Sequence, residues 1–477
     1  MSTTSLLIGW AQTDITPREL PVLITGQFHF RLSEGVADPL TATACCIERD
    51  GERVVFVSCD LICISRDLAR AVKERLKGTE IDPSQVILNA THTHAGPETR
   101  ITSALPADEF NLGEASVSGY VAYAADQIVN AITEAWRSRK TGGIAYGLDY
   151  AVIGRNRRWV DDQGRSIMYG LKNEAIERFR HIEGYEDHSL NLLATYDSEG
   201  RLTGLIVNVP CPSQEEEQIF QLSADFWHET RLELRERFGK ELFILPQVSA
   251  AGELTSHLIY ENAAAERMAR LRGRTLRQEV AVRIADAVGR ILPAIQNAVE
   301  YTPVLKHRME EVQIPANRLT QAAADEAESM AKECEAAYRK ERERLEANPE
   351  LKKEPRWYCT LTGLYQRARW YRGVVDRFKA GVSFFPEEVH FVRLGDIAFA
   401  TNPYEYYLDF GIQIKVKSPA IQTFLVQLAG NGSYVPSPRS VAGGGYGSVP
   451  ASNPVGPEGG QALADHSVQA LRALWKC

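Results

Sequence analysis

The sequence contains no pair of cysteines spaced as Cys-x-x-Cys, although it has 477 residues and eight cysteines. This absence excludes a structural zinc ribbon, which requires such pairs. The cysteines are scattered, and four of them, at positions 45, 46, 59 and 63, lie in apolar runs typical of strands. We therefore expect reduced, mostly buried thiols, as in a cytoplasmic protein.

Three further absences narrow the class of protein. The N-terminus has neither the basic start nor the apolar run of a signal peptide, and no stretch approaches ~18 uncharged apolar residues. The net charge is -8, and no basic stripe offers contacts to phosphates, so a nucleic-acid partner is not expected. We expect a cytoplasmic protein without integral membrane association, whose partner is a small-molecule substrate. Self-association into a homo-oligomer stays open.

The order of predicted elements favours an α/β fold. Residues 41–63 are typical of two strands joined by a turn, a helix follows from about Ser65 to Lys77, and a short apolar strand covers 85–90. A long helix over about 116–138 completes a β-β-α-β-α order, which predicts mixed β-sheets layered with helices.

Later segments continue this pattern. Further strands are predicted at 143–160, 189–197 and 203–210, and later ones over 390–400 and 421–427. Helices are predicted over about 226–238 and 263–291. Residues 316–380 are rich in charge and are interrupted near Asn348-Pro349, which indicates a solvated helical hairpin rather than a core element.

The segment Asn89–Pro97, with the sequence NATHTHAGP, combines two histidines with the end of a predicted strand. In an extended chain residues i and i+2 project to the same side, so we expect the rings of His92 and His94 to lie close together. Two adjacent imidazoles suit a divalent metal, and the end of a strand is where α/β proteins build their sites. Taken alone, His-x-His is as compatible with two unrelated histidines.

Eight motifs in the same order resemble the neutral/alkaline non-lysosomal ceramidase family. They are Gly9–Pro17 (GWAQTDITP), Val54–Asp60 (VVFVSCD), Thr91–Pro97 (THTHAGP), Asn156–Arg158 (NRR), Ser223–Asp225 (SAD), Ala251–Ser256 (AGELTS), Pro403–Glu405 followed by Gly411, and Tyr434–Pro436 with Gly444–Tyr446. The resemblance runs over most of the chain. It implies a single ceramidase-like catalytic domain over residues 1–477, in which 316–380 is a helical insertion, without the C-terminal β-sandwich of relatives.

The resemblance also implies a zinc site. The family holds zinc through a histidine of THTH, a second histidine, a glutamate and a tyrosine, which correspond here to His92, a residue near 211, Glu405 and Tyr446. The second histidine is missing, because the matching strand reads IVNVPCPS. Either Cys211 takes its place as a thiolate, or His228 does. The competing interpretations are a buried apolar thiol and an ordinary histidine at a helix start.

Catalytic roles follow from the same resemblance. The family has a serine near the scissile carbonyl, where this chain has Thr255. His94 would act as a general acid or orient the bound water, and Tyr434 or Tyr446 would hold the oxyanion. Arg157, or its neighbour Arg158, would hold a polar group of the substrate, although solvated charges at a strand end would look the same in sequence.

These features predict a zinc-dependent hydrolase, in which metal-activated water attacks an amide carbonyl of a small polar or lipid-like substrate. A metal-bound hydroxide does not choose its electrophile, so an ester, a lactone or a glycoside-type bond is one alternative. A degenerate member that binds a ligand without catalysis is the other, since the second histidine and the serine are both replaced.

Overall fold

A computed structural model describes residues 5–101 and 114–476. The strands are β1 Leu7–Asp14, β2 Leu23–Ile24, β3 Arg31–Leu32, β4 Gly35–Val36, β5 Thr41–Arg49, β6 Glu52–Cys59, β7 Val86–Ala90, β8 Lys140–Tyr150, β9 Arg155–Asn156, β10 Arg158–Asp161, β11 Ser166–Met168, β12 Phe179–Ile182, β13 Ser189–Asp197, β14 Leu202–Val209, β15 Gln221–Leu222, β16 Phe243–Val248, β17 Leu254–Thr255, β18 Leu305–Pro315, β19 Phe384–Leu394, β20 Ile397–Thr401, β21 Glu405–Tyr406, β22 Gln422–Val426 and β23 Tyr434–Val435. The α-helices are α1 Arg66–Leu76, α2 Glu114–Arg137, α3 Ala175–Arg178, α4 Phe226–Phe238, α5 Asn262–Leu271, α6 Leu276–Ile295, α7 Gln321–Ala347, α8 Tyr358–Ala380, α9 Leu408–Lys417, α10 Pro438–Gly443 and α11 Pro457–Trp475. Two 3₁₀ turns cover Pro83–Gln85 and Pro349–Lys353.

The largest sheet has eight strands in the order β16-β14-β13-β8-β1-β5-β6-β7. Most neighbours are antiparallel, whereas the two edge pairs, β14 with β16 and β6 with β7, are parallel. The strands read as nearly continuous apolar runs because both faces of the sheet are covered, and β5 is buried along almost its whole length. The sheet is therefore a mixed, two-sided core element.

A second sheet, β18-β19-β20-β22, packs against one face of the first. Phe56 of β6 and Phe399 of β20 meet there with ring centroids 4.7 Å apart. Helices α1, α2, α4 and α6 contribute to the apolar clusters on the other face of the large sheet, and α9 and α11 contact the second sheet. The predicted fold class, mixed sheets layered with helices, is confirmed.

Several predicted boundaries are wrong. The helix expected over 263–291 is two helices, because Thr275 caps α6 through a reciprocal hydrogen-bond pair with Gln278. The strand expected over 390–400 is the hairpin β19–β20, which turns at Gly395. Strand β18 was not predicted, since its charged residues lie on a partly exposed surface and hide the alternation that marks a strand.

The charged segment consists of two helices, α7 and α8, which pack against each other and share an apolar cluster with residues of the β2–β3 segment. The Phe30 amide donates a hydrogen bond to Thr362 Oγ1 at 3.0 Å, and the Leu32 amide donates to the Tyr358 hydroxyl at 3.1 Å. Arg356 adds a two-pronged ion pair to Glu34. These contacts hold α8 against the segment that leads into the candidate site.

The structure bears on two of the expectations, those about membrane-spanning helices and about the cysteines. None of the helices within 5–101 and 114–476 is both long and apolar enough to cross a bilayer. The cysteines of the same ranges are free thiols, and those at 45, 46, 59 and 63 are buried, as expected. Cys211 is buried as well. Cys477 lies outside the described residues.

Candidate active site

The two histidines lie just beyond the end of β7, which stops at Ala90. The backbone pairing between β6 and β7 continues beyond these strands, since the His92 amide donates a hydrogen bond to the Leu61 carbonyl at 2.9 Å. His92 has a φ of 64°, in the left-handed region that costs a non-glycine residue ~1–2 kcal/mol. The extended geometry expected for this segment is therefore wrong, and the rings meet because the backbone turns at His92.

Three side chains converge at this turn. His92 Nε2 lies 3.3 Å from His94 Nε2 and 3.3 Å from Glu405 Oε2. The two imidazole rings meet edge to face, with centroids 4.9 Å apart. Gly26 packs against the His94 ring with a φ of 103°, and a Cβ atom there would lie 2.8 Å from His94 Cγ. Glycine is required at this position because any side chain would displace the ring.

The Nδ1 atom of each imidazole faces a hydrogen-bond acceptor. His92 Nδ1 lies 2.7 Å from the Ile62 carbonyl oxygen, and His94 Nδ1 lies 3.3 Å from Glu217 Oε2. Acceptors in these positions favour a proton on each Nδ1 and leave both Nε2 atoms as lone-pair donors. Burial lowers the pKa of His94 to about 4, although Glu217 acts in the opposite direction, so this ring is neutral at pH 7.

The distances between these nitrogen and oxygen atoms can be compared with the distances between two ligands of one metal ion. Ligands bound tetrahedrally at ~2.0–2.1 Å stand ~3.3 Å apart, which is the separation of His92 Nε2 from both of its neighbours. Within residues 5–101 and 114–476, however, the side chains of His, Cys, Asp and Glu form no ready-made group of three around one point. His92 Nε2 and Glu405 Oε2 are thus spaced as two ligands of one divalent ion would be.

Two tyrosines supply further oxygen atoms. Tyr434 is the strand partner of Glu405 in the β21–β23 pair, and its ring meets that of Tyr446 edge to face, with centroids 5.4 Å apart. Burial raises the pKa of Tyr446 to about 12, and the Glu405 carboxylate acts in the same direction. Burial also raises the pKa of Tyr434 well above its ordinary value. Both phenols are therefore neutral hydrogen-bond donors at pH 7. Tyr446 as a whole residue is 39% exposed, and it lines the cavity.

Arg157 organises this cavity from within. Its Nη1 donates to the Tyr169 hydroxyl at 2.8 Å and to Gln214 Oε1 at 2.9 Å, while Nη2 donates to the Gly252 carbonyl at 2.8 Å and to the Tyr434 hydroxyl at 3.2 Å. The side chain is 1% exposed. Its terminal donors are thus engaged by the protein, and the structure shows Arg157 orienting neighbouring side chains.

Arg158 has a different set of partners. It is fully buried against Glu183 and donates to the carbonyl oxygens of Gly444 and Tyr446, both at 2.6 Å. These contacts bind the glycine-rich loop that carries Tyr446. The interpretation of the arginine pair as solvated surface charges is therefore wrong for both residues.

Cys211 and His228 were the two candidates for the position of the missing second histidine, and neither lies beside His92. Cys211 is fully buried in an apolar cluster with Phe226 and Trp227, where burial raises the pKa of its thiol well above the ordinary value. His228 lies on α4 and does not line the cavity. Thr255 is also buried behind the cavity wall, where its hydroxyl accepts a hydrogen bond from Tyr169 at 3.3 Å.

Two residues that the sequence interpretation missed take the place next to His94. Gln214 Nε2 lies 2.7 Å from His94 Nε2, and its orientation is set because Oε1 accepts from Arg157. Glu217 faces His94 on one side and lies 3.8 Å from His257 Nε2 on the other. The signal was the polar run Gln214–Gln218, which is separated from the buried strand β14 by the short segment Pro210–Ser213.

These groups line a cavity of about 750 Å³. Three aromatic rings from separate segments, Phe28, Trp370 and Tyr446, form one wall, with centroids 5.3 to 5.9 Å apart. Trp370 comes from α8, so the helical pair contributes directly to the site. A cavity of this size suits a small organic molecule.

Replacing Glu217 with glutamine is expected to lower kcat ~10–100-fold, because an amide binds the His94 Nδ1 proton more weakly and lets the ring turn. The measurement is steady-state hydrolysis with a substrate found active. Glu215→Gln makes the same chemical change two residues away and should leave kcat within ~2-fold. Equal losses in the two variants would contradict a specific role for Glu217.

Part of the chain is similar to a known family, and its fold is similar to solved structures. Residues 6–206 match the family model described as neutral/alkaline non-lysosomal ceramidase, N-terminal. No curated protein matches the chain. A solved structure titled "Ceramidase complexed with C2" is 16% identical with a TM-score of 0.67, and the match covers 98% of this chain and 75% of that one. The neutral ceramidase from Pseudomonas aeruginosa is 17% identical with a TM-score of 0.67, covering 98% and 74%. Residues 6–206 thus resemble the N-terminal part of the neutral/alkaline non-lysosomal ceramidases, and the chain shares its fold with the two solved ceramidases.

Proposed function

We propose that this protein is a metal-dependent hydrolase that cleaves an amide bond in a small substrate. The observation that carries the proposal is the placement of His92 Nε2 3.3 Å from both His94 Nε2 and Glu405 Oε2, inside a cavity lined by tyrosine hydroxyls. The match of residues 6–206 to the ceramidase family model and the shared fold support a hydrolase acting on an amide, and the resemblance to that family implies a metal.

His92 and Glu405 would hold the metal, with a hydroxyl from Tyr446 or Tyr434 as a third donor. When bound, zinc would supply a water of lowered pKa and polarise the substrate carbonyl. The Ile62 carbonyl would keep His92 in the ligand tautomer by accepting its Nδ1 proton. Neither Cys211 nor His228 is needed in this ligand set.

The remaining chemistry belongs to residues beside these ligands. His94 is held neutral, so its Nε2 atom can take a proton from the attacking water and pass it to the leaving amine. The Tyr434 hydroxyl, which Arg157 orients at 3.2 Å, can donate to the developing oxyanion. Thr255 would act through Tyr169 as a positioning residue.

A panel of simple amides and the matching esters, assayed with and without a chelator, tests the proposal. We expect hydrolysis of at least one amide, its loss with chelator and its return with zinc. Activity confined to esters would change the reaction class. Amide hydrolysis that survives complete metal removal would contradict metal dependence.

One observation favours the degenerate, ligand-binding alternative. The Gln214 amide donates to His94 Nε2 at 2.7 Å and occupies the lone pair that catalysis would need. If the protein binds amides in calorimetry but hydrolyses none of the panel with zinc present, this alternative replaces the hydrolase. Gln214→Ala would then be expected to release His94 and restore slow turnover.

A further inference from the structure

Arg31 of β3 is fully buried and does not line the cavity, yet its guanidinium binds the backbone around the candidate site. Nη1 donates hydrogen bonds to the Glu217 carbonyl at 2.8 Å and to the Ile219 carbonyl at 2.7 Å. Nη2 donates to the carbonyl oxygens of Thr25 and His94. One side chain therefore joins three segments that lie far from one another in the chain.

Each of these segments contributes a residue at or beside the His94 ring. Thr25 precedes Gly26, whose backbone packs against that ring. The second segment carries His94 itself, and the third carries Glu217, whose Oε2 atom lies 3.3 Å from His94 Nδ1. The contact between His94 and Glu217 thus depends on two stretches of backbone that are bound by the same guanidinium.

A guanidinium suits this position better than any other side chain does. Carbonyl oxygens that converge in a buried space need hydrogen-bond donors, since the negative ends of their dipoles face one another. The planar guanidinium offers N–H groups in fixed directions from two terminal nitrogens, whereas a lysine ammonium has all its N–H groups on a single atom. Burial lowers the pKa of Arg31 to about 10, although Glu217 acts in the opposite direction, so the side chain is cationic at pH 7.

Helix α8 fixes the backbone on both sides of Arg31. The Phe30 amide donates to Thr362 Oγ1, and the Leu32 amide donates to the Tyr358 hydroxyl. Thr362 is fully buried, and its hydroxyl also donates to the Tyr358 carbonyl at 2.8 Å, which leaves its oxygen free to accept from Phe30. The helical pair is thus linked through Arg31 to the backbone of the candidate site.

We propose that Arg31 is a positioning residue for hydrolysis, which sets the distance between His94 and Glu217 without touching the substrate. This inference rests on the proposed amide hydrolysis, in which His94 carries the proton. A displaced His94 ring slows proton transfer because the transfer requires hydrogen-bond distance. None of the carbonyl oxygens bound by Arg31 belongs to His92 or Glu405, the residues that would hold the metal.

Arg31→Lys, assayed as the zinc-loaded protein with the best amide of the panel, tests the inference. We expect kcat to fall ~10–100-fold, while KM stays within ~3-fold and the zinc content equals that of the wild type. A general loss of fold would lower kcat and zinc content together. Arg235→Lys is the matched control, because Arg235 also donates to a backbone carbonyl, that of Leu242 at 3.0 Å, but does not line or bind the site. It should leave kcat within ~2-fold.

Thr362→Val tests the same link from α8 and decides the matter if Arg31→Lys does not fold. It nearly keeps the shape of the side chain but removes the acceptor of the Phe30 amide, so kcat should fall at least ~3-fold with KM and zinc content unchanged. Thr230→Val is its control. Thr230 is likewise buried in a helix and donates to the carbonyl four residues earlier, that of Phe226, at 2.7 Å.

Wild-type kcat in a folded Arg31→Lys variant would overturn the inference and leave the hydrolase standing. Where Arg31→Lys does not fold, wild-type kcat in Thr362→Val would do the same. Parallel losses of kcat and zinc would give Arg31 a purely structural role, which also overturns the inference. If the zinc-loaded wild type hydrolyses no amide or ester of the panel, the proposed function fails, and this inference fails with it.

Discussion

Replacing His92 with alanine should abolish stoichiometric zinc binding and lower kcat/KM by ~1,000-fold or more. Loss of a residue that merely orients a ligand costs ~10–100-fold, and loss of the ligand itself removes the source of the activated water as well. Metal content after dialysis and kcat/KM on the best amide of the panel measure the two effects. Zinc content equal to that of the wild type would contradict the assignment of His92 as a ligand.

The backbone at His92 calls for a second variant. Its φ of 64° strains an alanine as much as a histidine, whereas asparagine adopts this region more readily. His92→Asn should therefore fold at least as well as His92→Ala and still fail to hold zinc. Agreement between the two variants separates loss of the ligand from loss of the fold.

Cys211→Ser is the matched control, since sequence resemblance placed this residue near the missing ligand. Its thiol lies in an apolar cluster, so the variant should keep its zinc and lose ~1–3 kcal/mol of stability from burying a hydroxyl with poor partners. His181→Ala removes an exposed imidazole and should change neither quantity. A loss of zinc in Cys211→Ser as large as in His92→Ala would instead indicate a thiolate ligand.

Arg158→Leu is expected to lower the free energy of unfolding by ~3–5 kcal/mol, because it leaves the buried Glu183 carboxylate without its partner. It also removes the donors that bind the Gly444 and Tyr446 carbonyls, so activity should fall even where the protein stays folded. Urea unfolding measures the first effect. Arg201→Ala breaks an exposed ion pair with Asp197 and should leave the urea midpoint nearly unchanged.

The buried ion pair between Arg158 and Glu183 predicts that the free energy of unfolding depends on pH. Burial opposes ionisation of Glu183, but the hydrogen bonds and charge of Arg158 outweigh it and lower the pKa. A lowered carboxyl pKa contributes stability that is present above the unfolded value of ~4.3 and is lost as the pH falls through the folded value. The difference in stability between wild type and Arg158→Leu should therefore shrink as the pH falls below ~4. A constant difference down to pH ~2 would contradict this assignment.

The missing second histidine has a structural explanation, which the matching of sequence motifs to the family did not supply. The segment after β14 brings Gln214 and Glu217, rather than Cys211, to His94. Cys211 is directed into the apolar cluster under α4, where its neighbours are Phe226 and Trp227. A one-residue difference in direction along an irregular segment reverses which side chains face the cavity, and no local pattern in the sequence determines it.

The sequence by itself determined the features that depend on local order. Strong apolar runs and turn residues placed β5, β6, β7 and α4 close to their observed positions, and the order of elements led to the layered α/β class. THTHAGP, Pro403–Glu405 and the tyrosine motifs correctly singled out segments that lie together in one cavity. His92 and His94 follow the end of β7, and Glu405 and Tyr434 begin the paired strands β21 and β23, so the strand pairing limits where these side chains can lie.

Only the tertiary structure decided which groups meet and what they can do. The left-handed turn at His92, the Arg157 hydrogen bonds that orient Tyr434 and Gln214, and the arrival of Trp370 from α8 join residues far apart in the chain. Burial, which sets the pKa of His94 and of the tyrosines, depends on packing around each group and has no local signature. For these reasons the chain's polar run at Gln214–Gln218 could be read as part of the site only after the fold had brought it to His94.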